Sequence, residues 1–239
     1  MLHKRDFVDA CYIRYGWQIP NLPTTCGGCG KPFDLEHALS CKHGGLRIVQ
    51  HNEVRDTIAQ CMQEAGHIAV EIEPRLQPLE GEALKYSTAN KDDEARSDIK
   101  CCGFWSKLRQ AFFDIKVVSP FARSNAKLLP AQMFKNAELQ KDREYGDRIR
   151  KVDGGDFNPL VFTCTGGMGP QSHMVMKRLA EKLSEKQDLP AAVVSGWLRC
   201  RLSFALLRTT LLCVRATRSK KLQVENNIEL AVVAARMDL

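Results

Sequence analysis

The chain has 239 residues, ten cysteines and a formal charge of +7. Its 44% hydrophobic and 26% charged residues suit a soluble globular fold with a sizeable core, and its longest apolar run is interrupted by arginines, which excludes a membrane span. Met1-Leu2-His3-Lys4-Arg5-Asp6 opens no secretory signal, so the cysteines read as thiol or metal chemistry in a reducing compartment rather than as disulfides.

In chain order, Phe7 to Tyr15 predicts an amphipathic helix that leads through Pro20 and Pro23 to Cys26-Gly27-Gly28-Cys29. His37 follows after seven residues and Cys41 after three more. Three thiolates and an imidazole at this spacing match a closed tetrahedral Zn2+ site that holds the fold rather than catalyses, and glycines let the backbone bend round the ion. His43 is the alternative imidazole. From Leu46 to Ala65, Val54, Ile58, Cys61, Met62 and Ala65 recur on one helical face and Gly66 stops the pattern. The polar part of that helix holds His51, Asn52, Glu53, Arg55 and Asp56, with Glu53 the acid best placed to reach a site.

Val70 to Glu73 alternates as a first strand, whose Glu71 and Glu73 form a polar face, and 77–94 reads as a polar, turn-rich loop. Arg96-Ser97-Asp98-Ile99 and Phe112 to Val118 then read as adjacent strands joined by a turn around Gly103. Alternation puts Asp114 and Lys116 on one face and Phe113, Ile115 and Val117 on the other. Asp98 and Asp114, with fifteen residues between them, can converge at neighbouring strand positions. Paired carboxylates bind Mg2+ or Mn2+, which polarises a phosphoryl oxygen and activates water, and a neighbouring ammonium orients that water or offsets developing charge. An Asp-x-Lys strand alone is more often a solvated ion pair. A charged helix over Gln132 to Arg150 places Lys141 and Tyr145 on one face, with Gln140 as an alternative partner.

The order of a helix with Glu53, a strand with Asp98, a strand with Asp114-Ile115-Lys116, and a helix with Lys141 and Tyr145 resembles the PD-(D/E)XK, restriction-endonuclease-like nucleases. That resemblance implies an α/β fold with a mixed central sheet flanked by helices. It also implies Asp98 and Asp114 as Mg2+ ligands, Lys116 as the catalytic lysine, Glu53 as the helix acid, and Lys141 with Tyr145 as an accessory motif. With the Cys26, Cys29, His37, Cys41 knuckle directly before it, the chain is similar to the endonuclease region of site-specific non-LTR retrotransposons. Some such nucleases take their lysine from the following helix, so Lys116 and Lys141 both stand as candidates. The resemblance implies hydrolysis of DNA, a nuclear location, and RNA or a separate reverse transcriptase as further partners. A detached module that binds nucleic acid without cutting it, or only docks a partner, is the alternative.

Pro159 to Thr165 predicts another strand and Met174 to Lys186 another amphipathic helix. Between Ser195 and Lys221 lie Arg199, Arg201, Arg208, Arg215, Arg218, Lys220 and Lys221 with no acid, so the whole positive excess sits in one predicted helix. Arg201, Arg208 and Arg215 recur every seven residues and draw a stripe suited either to successive phosphates or to internal ion pairs. The expected organisation is an N-terminal helix and knuckle over 1–43, a nuclease core over 44–170, and a C-terminal helical extension over 171–239.

Overall fold

The structure, a computed structural model, describes residues 3–77 and 95–218. Most of the loop predicted over 77–94, and Lys220 and Lys221 of the basic segment, lie outside the described residues. In chain order the elements are α1 (Lys4–Tyr15), α2 (Leu35–Ser40), α3 (Leu46–Glu64), β1 (Ile68–Ile72), β2 (Ile99–Cys102), β3 (Gln110–Val118), α4 (Pro130–Lys141), β4 (Asp156–Thr163), α5 (Pro170–Gln187) and α6 (Ala191–Arg215). Two π-helical turns, Asp142–Gly146 and Ile149–Asp153, carry the chain from α4 to β4.

The four strands form one mixed sheet in the order β1-β2-β3-β4. The first two pairings are antiparallel, and β3 pairs with β4 in parallel. A parallel pair requires a crossover, and α4 with the two π turns supplies it. The alternation expected of Phe112 to Val118 sorts β3 cleanly. Ala111, Phe113, Ile115 and Val117 enter the main core with Val54, Ile58 and Met62 of α3 and with residues of α5 and α6. On the opposite face Phe112 packs with Ile149 and Phe157, and Val118 packs with Met133 and Ala137 of α4. Asp114 and Lys116 lie between those two apolar clusters.

The helices beyond residue 170 are not an appended extension. Val175, Leu179 and Leu183 of α5 and Val194, Leu198, Leu202 and Leu206 of α6 belong to the same buried cluster as α3 and β3. The face of α6 turned to this cluster is apolar, whereas Val193, Trp197 and Phe204 on the same helix are exposed. The N-terminal region joins the same body, since Ile13 and Ile19 pack with Ala38, Leu211 and Val214. Among the described residues, no helix is long and apolar enough to cross a membrane.

Candidate metal centre and carboxylate site

The knuckle is assembled from a tight turn and a short helix. The Cys26 N–H bonds the Lys31 carbonyl and the Gly30 N–H bonds the Cys26 carbonyl, each at 2.8 Å, which folds Cys26 and Cys29 toward one point. Gly30 has φ +72°, a conformation that glycine adopts without steric cost. Asp34 caps α2 by accepting from the His37 N–H at 2.7 Å, and α2 then presents His37 and Cys41 one turn apart. The ligand atoms of Cys26, Cys29, His37 and Cys41 all lie within 4.8 Å of one another, a cluster that could hold a metal ion. Cys26 Sγ and Cys41 Sγ are 3.9 Å apart, and Cys29 Sγ is 3.3 Å from His37 Nε2. Tetrahedral zinc with thiolate and imidazole ligands has edges of about 3.6–3.8 Å, so this donor set fits Zn2+ in both size and softness. Burial works to raise the Cys26 thiol, but the Cys29 backbone and His37 outweigh it and hold Cys26 down at about 6. Burial lifts the Cys41 thiol. His37, not His43, is the imidazole in the cluster.

The knuckle is locked to α6 by Arg218. Its buried guanidinium bonds the Ala38 and Cys213 carbonyls and lies 5.0 Å from the Phe33 ring centroid. A Cβ at Gly28 would stand 2.9 Å from His43 Cβ and 3.2 Å from Arg218 Cβ, so glycine is required there by close approach.

The second site lies across the β2–β3 ladder. Ile99 pairs with Phe113 and Lys100 with Phe112, so the same register sets Asp98 opposite Asp114, one step beyond the end of β2. Two hydrogen bonds hold Asp98 there: its N–H reaches the Phe113 carbonyl at 3.2 Å, and its Oδ2 accepts from the Ile115 N–H. The Glu73 N–H bonds the Asp98 carbonyl at 2.9 Å, which brings the end of β1 into the same row. From α3, His51 Nε2 lies 2.9 Å from Asp98 Oδ1. From the end of α4, Lys141 Nζ lies 2.8 Å from Asp114 Oδ2 and 3.5 Å from Glu144 Oε2. Lys141 Nζ also stands 5.4 Å from the Tyr145 ring centroid. Lys116 donates to Gln140 Oε1, and Gln140 donates to Glu144 Oε1 at 2.8 Å. The π turn after Lys141 therefore gathers Glu144 and Tyr145 against the sheet, a device often found at functional sites.

Electrostatics follow from these contacts. Asp114 is buried, and burial together with the charge of Asp98 pushes its carboxyl up to about 7, while Lys141 pulls the other way. For Lys141, burial favours the neutral amine but the Asp114 charge outweighs it, so the ammonium is held above its ordinary range. Lys116 is lowered, first by burial and then by the charge of Lys141. Tyr145 is raised by burial and by Asp114, which keeps its phenol protonated. Asp98 and Asp114 thus form a carboxylate pair whose cationic partners are His51 on one side and Lys141 on the other.

No protein-family model and no curated protein matches this chain.

Of the residues expected from sequence, the fold brings together Asp98, Asp114, Lys116, Gln140, Lys141 and Tyr145. It does not bring Glu53 to them. Glu53 is exposed on α3, roughly 200° around the helix from His51, which takes the place next to Asp98. Arg55, one turn from His51, pairs with Glu73 and with Asp56, so neither of those acids is left free for the site. Glu71 pairs with Lys100. Periodicity had marked out His51 and Arg55 as polar positions of α3. Their i, i+4 spacing is the signal that could have singled them out over Glu53.

The arginine stripe of α6 is largely internal. Arg215 binds Asp9 through two contacts of 2.6 Å, and Arg201 holds Glu64 at 2.8 and 3.0 Å while lying 5.1 Å from the Trp197 ring centroid. Of the three, only Arg208 is exposed. The apparent excess charge of the helix is in good part neutralised by acids distant in sequence.

His51 should give a pH signature. Burial lowers its pKa, but the hydrogen bond to Asp98 and the charges of Asp98 and Asp114 outweigh burial and raise it. A raised folded pKa means that this contribution to stability is fully present below the unfolded value of about 6.5 and is lost as pH rises through the folded value. Urea unfolding of His51→Gln should therefore differ from the parent most at pH 5.5–6, with the two curves converging at alkaline pH. An offset independent of pH would mean that His51 does not pair with Asp98.

Proposed function

We propose that the chain is a metal-dependent DNA endonuclease of the restriction-endonuclease-like kind, hydrolysing a phosphodiester and nicking one strand. The observation that carries this reading is the opposition of Asp98 and Asp114 across the β2–β3 ladder, with Lys116 on the face of Asp114 and Lys141 reaching in from the following helix. The element order α3-β1-β2-β3-α4-β4 and a mixed four-stranded sheet flanked by helices support this reading. The knuckle, whose donor set fits Zn2+, supports descent from the endonuclease region of a non-LTR retrotransposon-type element. A DNA target puts the site of action in the nucleus, with RNA or a separate reverse transcriptase as further partners.

Asp98 and Asp114 would hold Mg2+ or Mn2+, which when bound supplies Lewis-acid polarisation of the phosphoryl oxygen and a more acidic water. The protein's own groups prepare the site. His51 and the Ile115 N–H fix the Asp98 carboxylate in one orientation. Lys141 opposes the burial and the Asp98 charge that push the Asp114 carboxyl up to about 7. Lys116 combines a lowered pKa with a tether to Gln140, which suits it to orient or deprotonate the attacking water. Lys141, committed to Asp114, is better suited to neutralising charge.

The proposal is tested by incubating supercoiled plasmid with purified protein and Mg2+ or Mn2+, beside Asp114→Ala and an EDTA control. Metal-dependent nicking lost in the variant supports it. Retained DNA binding without nicking would transfer the reading to a nucleic-acid-binding module without chemistry.

A further inference from the structure

We propose that the crevice between α5 and α6 is a phosphate-binding site, separate from the carboxylate pair. His173 and Lys177 stand one turn apart on α5, and Ser195 and Arg199 one turn apart on α6, so both helices turn a polar pair toward the same gap. These four line a cavity of about 210 Å³ whose apolar part includes Met176 and Leu198. That volume is below the 300–1,000 Å³ typical of sites for whole organic ligands, and suits one anionic group with its immediate substituent.

The chemistry of the lining is one-sided. Arg199 Nη2 lies 3.2 Å from His173 Nε2. A guanidinium only donates, so His173 accepts at Nε2 and keeps its proton on Nδ1. The crevice then offers an ammonium, the rest of a guanidinium, an imidazole N–H and a hydroxyl, with no carboxylate in its lining. Nearby acids are engaged elsewhere: Glu181 with Arg178 at 3.5 Å, Glu185 with Lys182 at 3.7 Å, and Glu138 with the Gln171 N–H at 3.0 Å. Lys177 and Arg199 line one crevice whose lining holds no carboxylate to pair with them, and a doubly charged tetrahedral oxyanion can accept from both. The shared ligand chemistry is a phosphate group, either free as a phosphomonoester or within a nucleic-acid backbone.

Titration calorimetry of the full chain with inorganic phosphate and with a 5′-mononucleotide tests this, in EDTA and against chloride at matched ionic strength. Lys177→Gln/Arg199→Gln should weaken binding about tenfold or more while leaving the melting temperature unchanged, because both side chains are exposed. Lys135→Gln, exposed on α4 and outside the crevice, should bind as the parent does. Duplex affinity in parallel identifies the source. Loss of duplex binding together with phosphate binding assigns a backbone phosphate, and loss of phosphate and mononucleotide binding alone assigns a free phosphomonoester. A parent protein that binds phosphate no better than chloride, or a double variant that binds phosphate unchanged, overturns the proposal. Asp114→Ala should bind phosphate normally, so failure of the nuclease reading and failure of this one are distinguishable.

Discussion

Stripping the metal from Cys26, Cys29, His37 and Cys41 is expected to lower the melting temperature of the whole chain, not merely loosen its first forty residues. Structural zinc contributes on the order of 10 kcal/mol of binding free energy to small knuckles, and that energy is folding energy wherever the site does not exist in the unfolded chain. Here the knuckle is continuous with the rest of the fold. Arg218 ties Ala38 to Cys213, and Ala38 packs with Ile13, Ile19, Leu211 and Val214. Opening the knuckle leaves that cluster uncovered and the Arg218 guanidinium buried without its Ala38 acceptor, a costly state for a charge. Even if only several kcal/mol were transmitted, the melting temperature of a chain this size should fall by roughly 10 °C or more. Calorimetry with and without chelator, and on Cys29→Ser, should show this drop, and the purified parent should carry one zinc per chain. A metal-free protein with an unchanged melting temperature would remove the structural role.

The largest kinetic effect should come from Lys116. If it orients or deprotonates the attacking water, Lys116→Met should slow single-turnover cleavage by about 10²–10³-fold while leaving divalent-ion affinity unchanged. Lys141→Met should behave differently. Without its ammonium, Asp114 loses the group that opposes its burial and the Asp98 charge, so its carboxyl moves above the present value of about 7 and protonates at neutral pH. That variant should bind Mn2+ more weakly, with the loss recovered as pH is raised. Reversal of the two patterns would exchange the roles of the lysines.

Much of this site was legible in the sequence because strand alternation is a rigid rule. Once Phe113, Ile115 and Val117 are assigned to the core, Asp114 and Lys116 must share the other face, and the fifteen-residue return through Gly103 then determines what can stand opposite. The knuckle was legible for a similar reason, since ligand spacing is local. What failed was non-local. Helical periodicity identifies the buried stripe of α3 but leaves the polar arc open, and the choice of His51 over Glu53 depends on where Asp98 arrives from forty-seven residues away. The sequence left the arginine stripe open between phosphate contacts and internal ion pairs because Asp9, which pairs with Arg215 from 206 residues away, has no sequence relation to it. The same blindness made α5 and α6 look like an extension, since the face that covers them belongs to α3 and β3. The π turn after Lys141 left no mark in the sequence.

The proposed nuclease requires Asp98 and Asp114 to act together as one divalent-cation site. Electron paramagnetic resonance titration of zinc-loaded protein with Mn2+ measures this directly, beside Asp98→Asn and Asp114→Asn. The parent should bind Mn2+ that Mg2+ displaces, and either variant should lose that binding while the fold and bound zinc are kept. Mn2+ bound equally well by the parent and both variants would contradict it.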